Sequence, residues 1–168
     1  MTNRSKVGLD SYTAGNDFQD DIAMSWSFCT NSWRMRIRDG GHGDRPADEI
    51  VVLDKFRVLA ELKRTQSNTF KLKALVKTNQ INGLLAFDKL NYYNVGVLII
   101  HFSSIDECYV VRIAELLKYI VKIRKFSISH TCFSDKQFPV LRLHKKDGVW
   151  DLTNFDRTAG ELYGHNSK

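Results

Sequence analysis

Asp48-Glu-Ile-Val-Val-Leu-Asp-Lys-Phe-Arg-Val-Leu-Ala-Glu-Leu-Lys63 is the stretch on which the fold turns. Residues 50–53 and 56–63 are rich in β-branched and apolar side chains and read as two strands meeting at Asp54-Lys55. That dipeptide is not the Asn-Gly type favoured in tight hairpins. With the turn centred between Asp54 and Lys55, Leu53 faces Phe56 and every further facing pair sums to 109. Asp48 then lies opposite Glu61, and facing Cβ atoms on paired strands are about 4.5–5.5 Å apart. Lys63, two residues along the same strand, projects from the same face about 6.6 Å further on. Ile50, Val52 and Leu59 share that face, while Val51, Leu53, Phe56, Val58 and Leu62 line the other.

A lone Glu-x-Lys on a strand is ordinarily a solvated edge. Two carboxylates facing each other at the end of an apolar hairpin are different, because they repel unless something cationic lies between them, and burial makes unpaired charge expensive. Converging acidic oxygens suit a hard divalent cation such as Mg²⁺ or Mn²⁺. Such an ion orients a water, lowers its pKa and stabilises charge building on a phosphodiester. Lys63 would hold the attacking water or the phosphate.

Outward from the hairpin, a helix is expected from Gly15, capped by Asn16 or Asp17, with Phe18, Ile22 and Trp26 on one face. It ends near Asn31 or Ser32, and 33–38 follow as a short alternating strand or stem. Residues 39–44 hold Gly40, Gly41 and Gly43 and read as a loop. A helix is expected over 71–90, with Leu72, Leu75 and Val76 on one face. The nearly continuous apolar run 95–102 fits a central strand covered on both sides. Residues 107–112 form its partner and 113–121 a helix. The order implies an α/β protein with a mixed central sheet flanked by helices. One domain is expected over 1–146, with a loose basic start at 1–13 and a polar C-terminal tail at 147–168.

Composition narrows the function classes. The chain has 168 residues and a formal net charge of +6, which favours polyanionic partners, nucleic acid first. Cys29, Cys108 and Cys132 are far apart and form no Cys-x-x-Cys pair, so reduced thiols are expected. His42, His101, His130, His144 and His165 are too scattered for a zinc site. No apolar run reaches membrane-spanning length, and the first ten residues carry no secretory signal. A cytoplasmic protein is the expectation.

Arg45-Pro-Ala-Asp48 followed by Glu61-Leu-Lys63-Arg-Thr65 resembles the PD-(D/E)xK nuclease signature. More narrowly, the chain resembles the RecU family of Holliday junction resolvases from about Gly15 to Phe126. Gly15-Asn-Asp-Phe18, Thr65, Phe70, Leu72-Lys73, Gln80-Ile81, the strand 96–102 and Tyr109 carry that likeness. The resemblance implies a restriction-endonuclease-like core and a homodimer with two Mg²⁺- or Mn²⁺-dependent sites, each nicking one strand of a four-way junction. It implies Asp48 and Glu61 as metal ligands, Lys63 as the general-base or positioning lysine, and Gln80 as a supporting active-site residue.

Two departures stand out. Gln19 occupies the place of a family acid on the first helix, with Asp20 and Asp21 next to it. Only about sixteen residues separate Ser32 from Asp48, so the junction-entering stalk is short or missing. Arg34, Arg36, Arg38, Arg45, Lys71 and Lys73 flank the site and are the candidate contacts to branched or duplex DNA. Lys77, Lys118, Lys122, Arg124 and Lys125 are further basic positions. Trp26 and Trp33 read as core or dimer-interface residues. The reading is a structure-selective endonuclease of a bacterial or phage-infected cell. The alternatives are a less selective phage or restriction-type endonuclease and a catalytically silent DNA-binding protein on the same fold.

Overall fold

The computed structural model describes residues 4–38 and 45–163. Helix α1 (Arg4–Ser27) leads into the short strand β1 (Trp33–Arg36), and the hairpin follows as β2 (Glu49–Val52) and β3 (Arg57–Thr65). Next come β4 (Thr69–Lys71), α2 (Leu72–Leu75), α3 (Thr78–Leu90), β5 (Asn94–Phe102), β6 (Glu107–Arg112) and α4 (Ile113–Ile123). The remainder is β7 (Ser127–Ser129), α5 (His130–Ser134), β8 (Leu141–Leu143), β9 (Lys145–Lys146), β10 (Val149–Trp150) and α6 (Phe155–Thr158), ending in a 3₁₀ turn, Ala159–Leu162.

Among the described residues the main sheet runs β1-β2-β3-β5-β6-β8. β3 and β5 are parallel, joined by a crossover through α2 and α3, and the other neighbours are antiparallel. The fold is thus a mixed sheet flanked by helices. The hairpin has the expected register, with Glu49 opposite Ala60 and Val51 opposite Val58. Its turn needs no Asn-Gly, because the Asp156 carboxylate accepts the N–H groups of Lys55 and Phe56 at 2.9–3.1 Å. All nine residues of β5 are buried, as its apolar run predicts.

Alternation along the strands divides the core in two. Val51, Val58, Ala60, Val97 and Ile99 pack on Phe18, Ile22 and Trp26 of α1. Leu59, Leu98 and Ile100 pack on Leu84 of α3 and on Leu116 and Ile120 of α4. The helix α3 lies so close to β5 that a Cβ at Gly96 would sit 2.2 Å from the carbonyl oxygen of Leu84. Gly96→Ala is therefore expected to destabilise the fold by about 2–3 kcal/mol, since backbone offers no soft way out of the clash. Urea unfolding would show it as a lowered midpoint at unchanged slope; a midpoint equal to that of the wild type would contradict it.

Three expectations give way. α1 begins at Arg4 instead of Gly15, so Asn16 and Asp17 lie inside it and not at its start; the preceding residues contain no proline to stop a helix. The helix expected over 71–90 is two helices, because Val76 (φ −123°, ψ 124°) and Lys77 (φ −72°, ψ 152°) are extended. Apolar spacing at 72, 75 and 76 is satisfied by one turn as well as by several, and the β-branched Val76 is buried in extended conformation. The expected polar tail at 147–168 contributes to the core: Trp150, Leu152, Phe155, Ala159 and Leu162 are buried beside α1. Trp26 meets Phe155 edge-on at 5.3 Å, and the Cys29 thiol donates to the Leu152 carbonyl at 3.1 Å. The glycine loop expected at 39–44 lies outside the described residues.

Candidate active site

Glu61 sits in the middle of β3, between β2 and β5, and its side chain is fully buried. One oxygen, Oε1, accepts from Lys63 Nζ at 2.5 Å and from Gln80 Nε2 at 2.6 Å. The other, Oε2, is buried and has no hydrogen-bond partner among the described residues. Burial above all, then repulsion from Asp48, pushes the carboxyl up to about 7, against the opposing pull of Lys63 and Arg45.

Asp48 reaches the same place from the start of β2. Its N–H donates to the Ala60 carbonyl at 3.0 Å, so that Asp48 and Glu49 both lie opposite Ala60 and the hairpin register ends there. Its Oδ2 accepts the Leu62 N–H at 2.8 Å. Arg45 lies 2.8 Å from Oδ1, and Gln19 Nε2 approaches the same oxygen at 3.4 Å.

Gln80 is oriented by its own helix. Its Oε1 accepts the Lys77 N–H at 3.0 Å, capping α3, which leaves Nε2 as the donor aimed at Glu61. The break at Val76 and Lys77, which looks like a defect in an amphipathic pattern, thus sets the start of α3 where Gln80 can serve both ends. The close packing of α3 at Gly96 holds this geometry against the sheet.

The structure brings Asp48, Glu61, Lys63, Gln80 and Arg45 together. Arg36 is one link away, donating to Gln19 Oε1 and lying 3.9 Å from Asp20. The residue that reaches Asp48 from α1 is Gln19 itself; Asp20 and Asp21 are exposed. Arg34 is engaged elsewhere, its Nε 2.6 Å from Glu49 Oε2. Arg38 is exposed beyond the end of β1, and Lys71 and Lys73 are exposed at the entry to α2, with Lys73 Nζ 3.7 Å from the Phe126 ring centroid. Of the two tryptophans, Trp26 is core and Trp33 lies exposed on the edge strand β1.

Sequence reasoning overlooked Glu49. It is buried on the α1 side of the sheet, where Trp26 Nε1 donates to it at 2.8 Å and Arg34 pairs with it. It ties α1 and β1 to the strand that carries Asp48. It opens β2 directly after Asp48, and its side chain turns to Trp26 and Arg34 while that of Asp48 meets Arg45 and Gln19.

The donor set bears on a metal. Among the described residues no cluster of three or more His, Cys, Asp or Glu side chains could hold one. Asp48 and Glu61 supply hard carboxylate oxygens, and Glu61 Oε2 is a buried acceptor without a hydrogen-bond partner among the described residues. Two carboxylates with one open oxygen fit a divalent cation that keeps several waters.

No protein-family model and no curated protein matches the chain. Among solved structures it is similar to Hjc of Archaeoglobus fulgidus, a Holliday junction resolvase from an archaeal hyperthermophile. The TM-score is 0.46 at 12% identity, over 60% of this chain and 78% of that one. Among the described residues no helix is long and apolar enough to cross a membrane.

Proposed function

We propose that this chain is a divalent-metal-dependent DNA endonuclease with a PD-(D/E)xK core, and that its substrate is the Holliday junction, as the RecU-like residues imply. The observation that carries the reading is Glu61 Oε2, buried without a hydrogen-bond partner among the described residues, on a carboxylate that Lys63 and Gln80 hold beside Asp48. Buried carboxylate oxygens are ordinarily satisfied, so an open one beside a second carboxylate leaves a position for a cation.

Asp48 and Glu61 would hold Mg²⁺ or Mn²⁺, which when bound supplies an activated water and neutralises charge on the cleaved phosphate. Gln80 fixes the rotamer of Glu61. Lys63, anchored on Oε1 and one-fifth exposed, is placed to hold the attacking water or a phosphate oxygen. Arg36, Arg38, Lys71 and Lys73 are the proposed phosphate contacts around the site; Arg34, tied to Glu49, serves the scaffold instead. Paired nicks in a four-way junction require two sites, hence the homodimer, acting on DNA in the cytoplasm of a bacterial or phage-infected cell.

A second reading, a less selective endonuclease, is favoured by the short segment between α1 and Asp48. Labelled four-way junction, flap and linear duplex compared in Mg²⁺ separate the two. The junction reading expects symmetric paired nicks in the four-way substrate, abolished by chelator and much slower on the others. Equal rates on all three substrates select the second reading, and cleavage undiminished by chelator sinks both.

A further inference from the structure

Arg45 is anchored by its backbone. Its carbonyl accepts from Asn79 Nδ2 at 3.1 Å, and the next residue, Pro46, presses on Gly83, where an added Cβ would come within 2.5 Å of Pro46 Cβ. Both anchors belong to α3, the helix that carries Gln80. From this base the guanidinium reaches Asp48 Oδ1 at 2.8 Å, with its side chain 25% exposed against 3% for Asp48. It forms the solvent side of the pair.

The two carboxylates of the site therefore differ. Glu61 keeps Oε2 open, while both Asp48 oxygens are taken, Oδ2 by the Leu62 N–H and Oδ1 by Arg45. A cation approaching Asp48 must displace a like charge from ion-pair distance. A guanidinium does not deprotonate, so it yields only by moving. Its planar fork suits phosphate as well as carboxylate, which supplies a reason to move.

We propose that Arg45 is a latch on Asp48: in the substrate-free protein it occupies Oδ1, and a phosphate of the nucleic-acid backbone draws it off, opening Asp48 to the metal only with substrate in place. This rests on the nuclease reading above and adds an order of events to it. Metal bound without DNA leans on Glu61; the complete site forms after the phosphate arrives.

The test uses Mn²⁺ with a nucleoside 3′,5′-bisphosphate as the phosphate probe. By calorimetry, Arg45→Ala is expected to bind Mn²⁺ at least about tenfold more tightly than the wild type when no phosphate is present, within the usual range of coupling between sites. The factor by which the bisphosphate tightens Mn²⁺ should be larger in the wild type than in Arg45→Ala, again by about tenfold. Nitrogen NMR of the guanidinium, assigned by its loss in Arg45→Lys, should show the Arg45 signals shift when bisphosphate binds without metal. This last measurement uses the wild-type protein and stands even where Arg45→Ala folds poorly. Equal tightening factors, or Arg45 signals unmoved by bound bisphosphate, overturn the latch. Asp48→Asn, titrated with the bisphosphate present, separates the failures: if it then binds Mn²⁺ like the wild type under the same condition, the metal-site reading falls and the latch with it. If it loses Mn²⁺ while the factors are equal, the latch alone falls.

Discussion

Glu61→Gln is expected to lower Mg²⁺-dependent cleavage by at least about 10³-fold, roughly 4 kcal/mol of transition-state stabilisation, while leaving the metal-free protein at pH 8 as stable as the wild type or more so. The two halves share one cause. At pH 8 the wild-type carboxylate is held ionised in a site that pushes its pKa to about 7 from an ordinary 4.5. That displacement corresponds to about 3 kcal/mol of folding free energy withheld from the protein. Glutamine keeps an oxygen for Gln80 and Lys63 and removes the buried charge, though Lys63 then loses its anion, which offsets part of the gain. The same change replaces a charged metal ligand with a neutral one. Cleavage of a four-way junction and urea unfolding of the metal-free protein measure the two effects. Activity within tenfold of the wild type would remove Glu61 from the mechanism, and a stability loss of about 2 kcal/mol would mean that its charge is a structural asset. Expected instead is a site whose stability is surrendered to function.

How much of this was legible beforehand follows from which forces act locally. The hairpin register needed only strand alternation and a turn centre, and it holds as far as Glu49 opposite Ala60; Asp48, one residue earlier, leaves that register and donates its N–H to the Ala60 carbonyl as well. β5 declared itself because a strand covered on both faces has no polar alternation to confuse it, and β6 occupies 107–112 as expected. The C-terminal segment was hidden for the opposite reason. Its apolar residues, Trp150, Leu152, Phe155 and Leu162, are spaced among polar ones in short irregular pieces, and no period emerges from them. Only the three-dimensional neighbour, α1, makes them core. Glu49 and Arg34 were hidden because an ion pair across strands fifteen residues apart depends on which face each takes. The contact of Gln19 with Asp48 joins a helix to a strand twenty-nine residues later, so local spacing carries no trace of it. Chemistry confined to one hairpin was readable from spacing, whereas the parts brought by α1 and α3, Gln19 and Gln80, were indicated only by the family resemblance.

The pH dependence of stability carries the second large effect. Glu61 has a folded pKa raised above its unfolded value, so between about 4.5 and 7 the folded protein binds more protons than the unfolded chain. Stability from this group is accordingly greatest at low pH and is lost as pH rises through that window, by about 3 kcal/mol in the metal-free protein. Other groups contribute slopes of both signs: Glu49, raised by burial, slopes as Glu61 does, and others slope the other way. His101 is lowered by burial, and Asp106, lowered first by its bond from Lys145, also favours the folded state as pH rises. The contribution of Glu61 is therefore read as the wild-type curve minus that of Glu61→Gln, which should fall across pH 4.5–7 and then level off. Lys63→Met sharpens the test. Lys63 is the main cation opposing the rise, so without it the Glu61 carboxyl moves still higher and the fall continues past pH 7. Little difference from the wild type is expected at pH 5, where Glu61 is protonated in both proteins. A destabilisation of up to about 3 kcal/mol is expected at pH 8, the size typical of a buried charge stripped of its partner. Saturating Mg²⁺ should restore most of that loss, because cation and proton compete for the same buried oxygens. A flat difference curve, or Mg²⁺ stabilising as strongly at pH 5 as at pH 8, would show that Glu61 neither holds the proton nor exchanges it for metal.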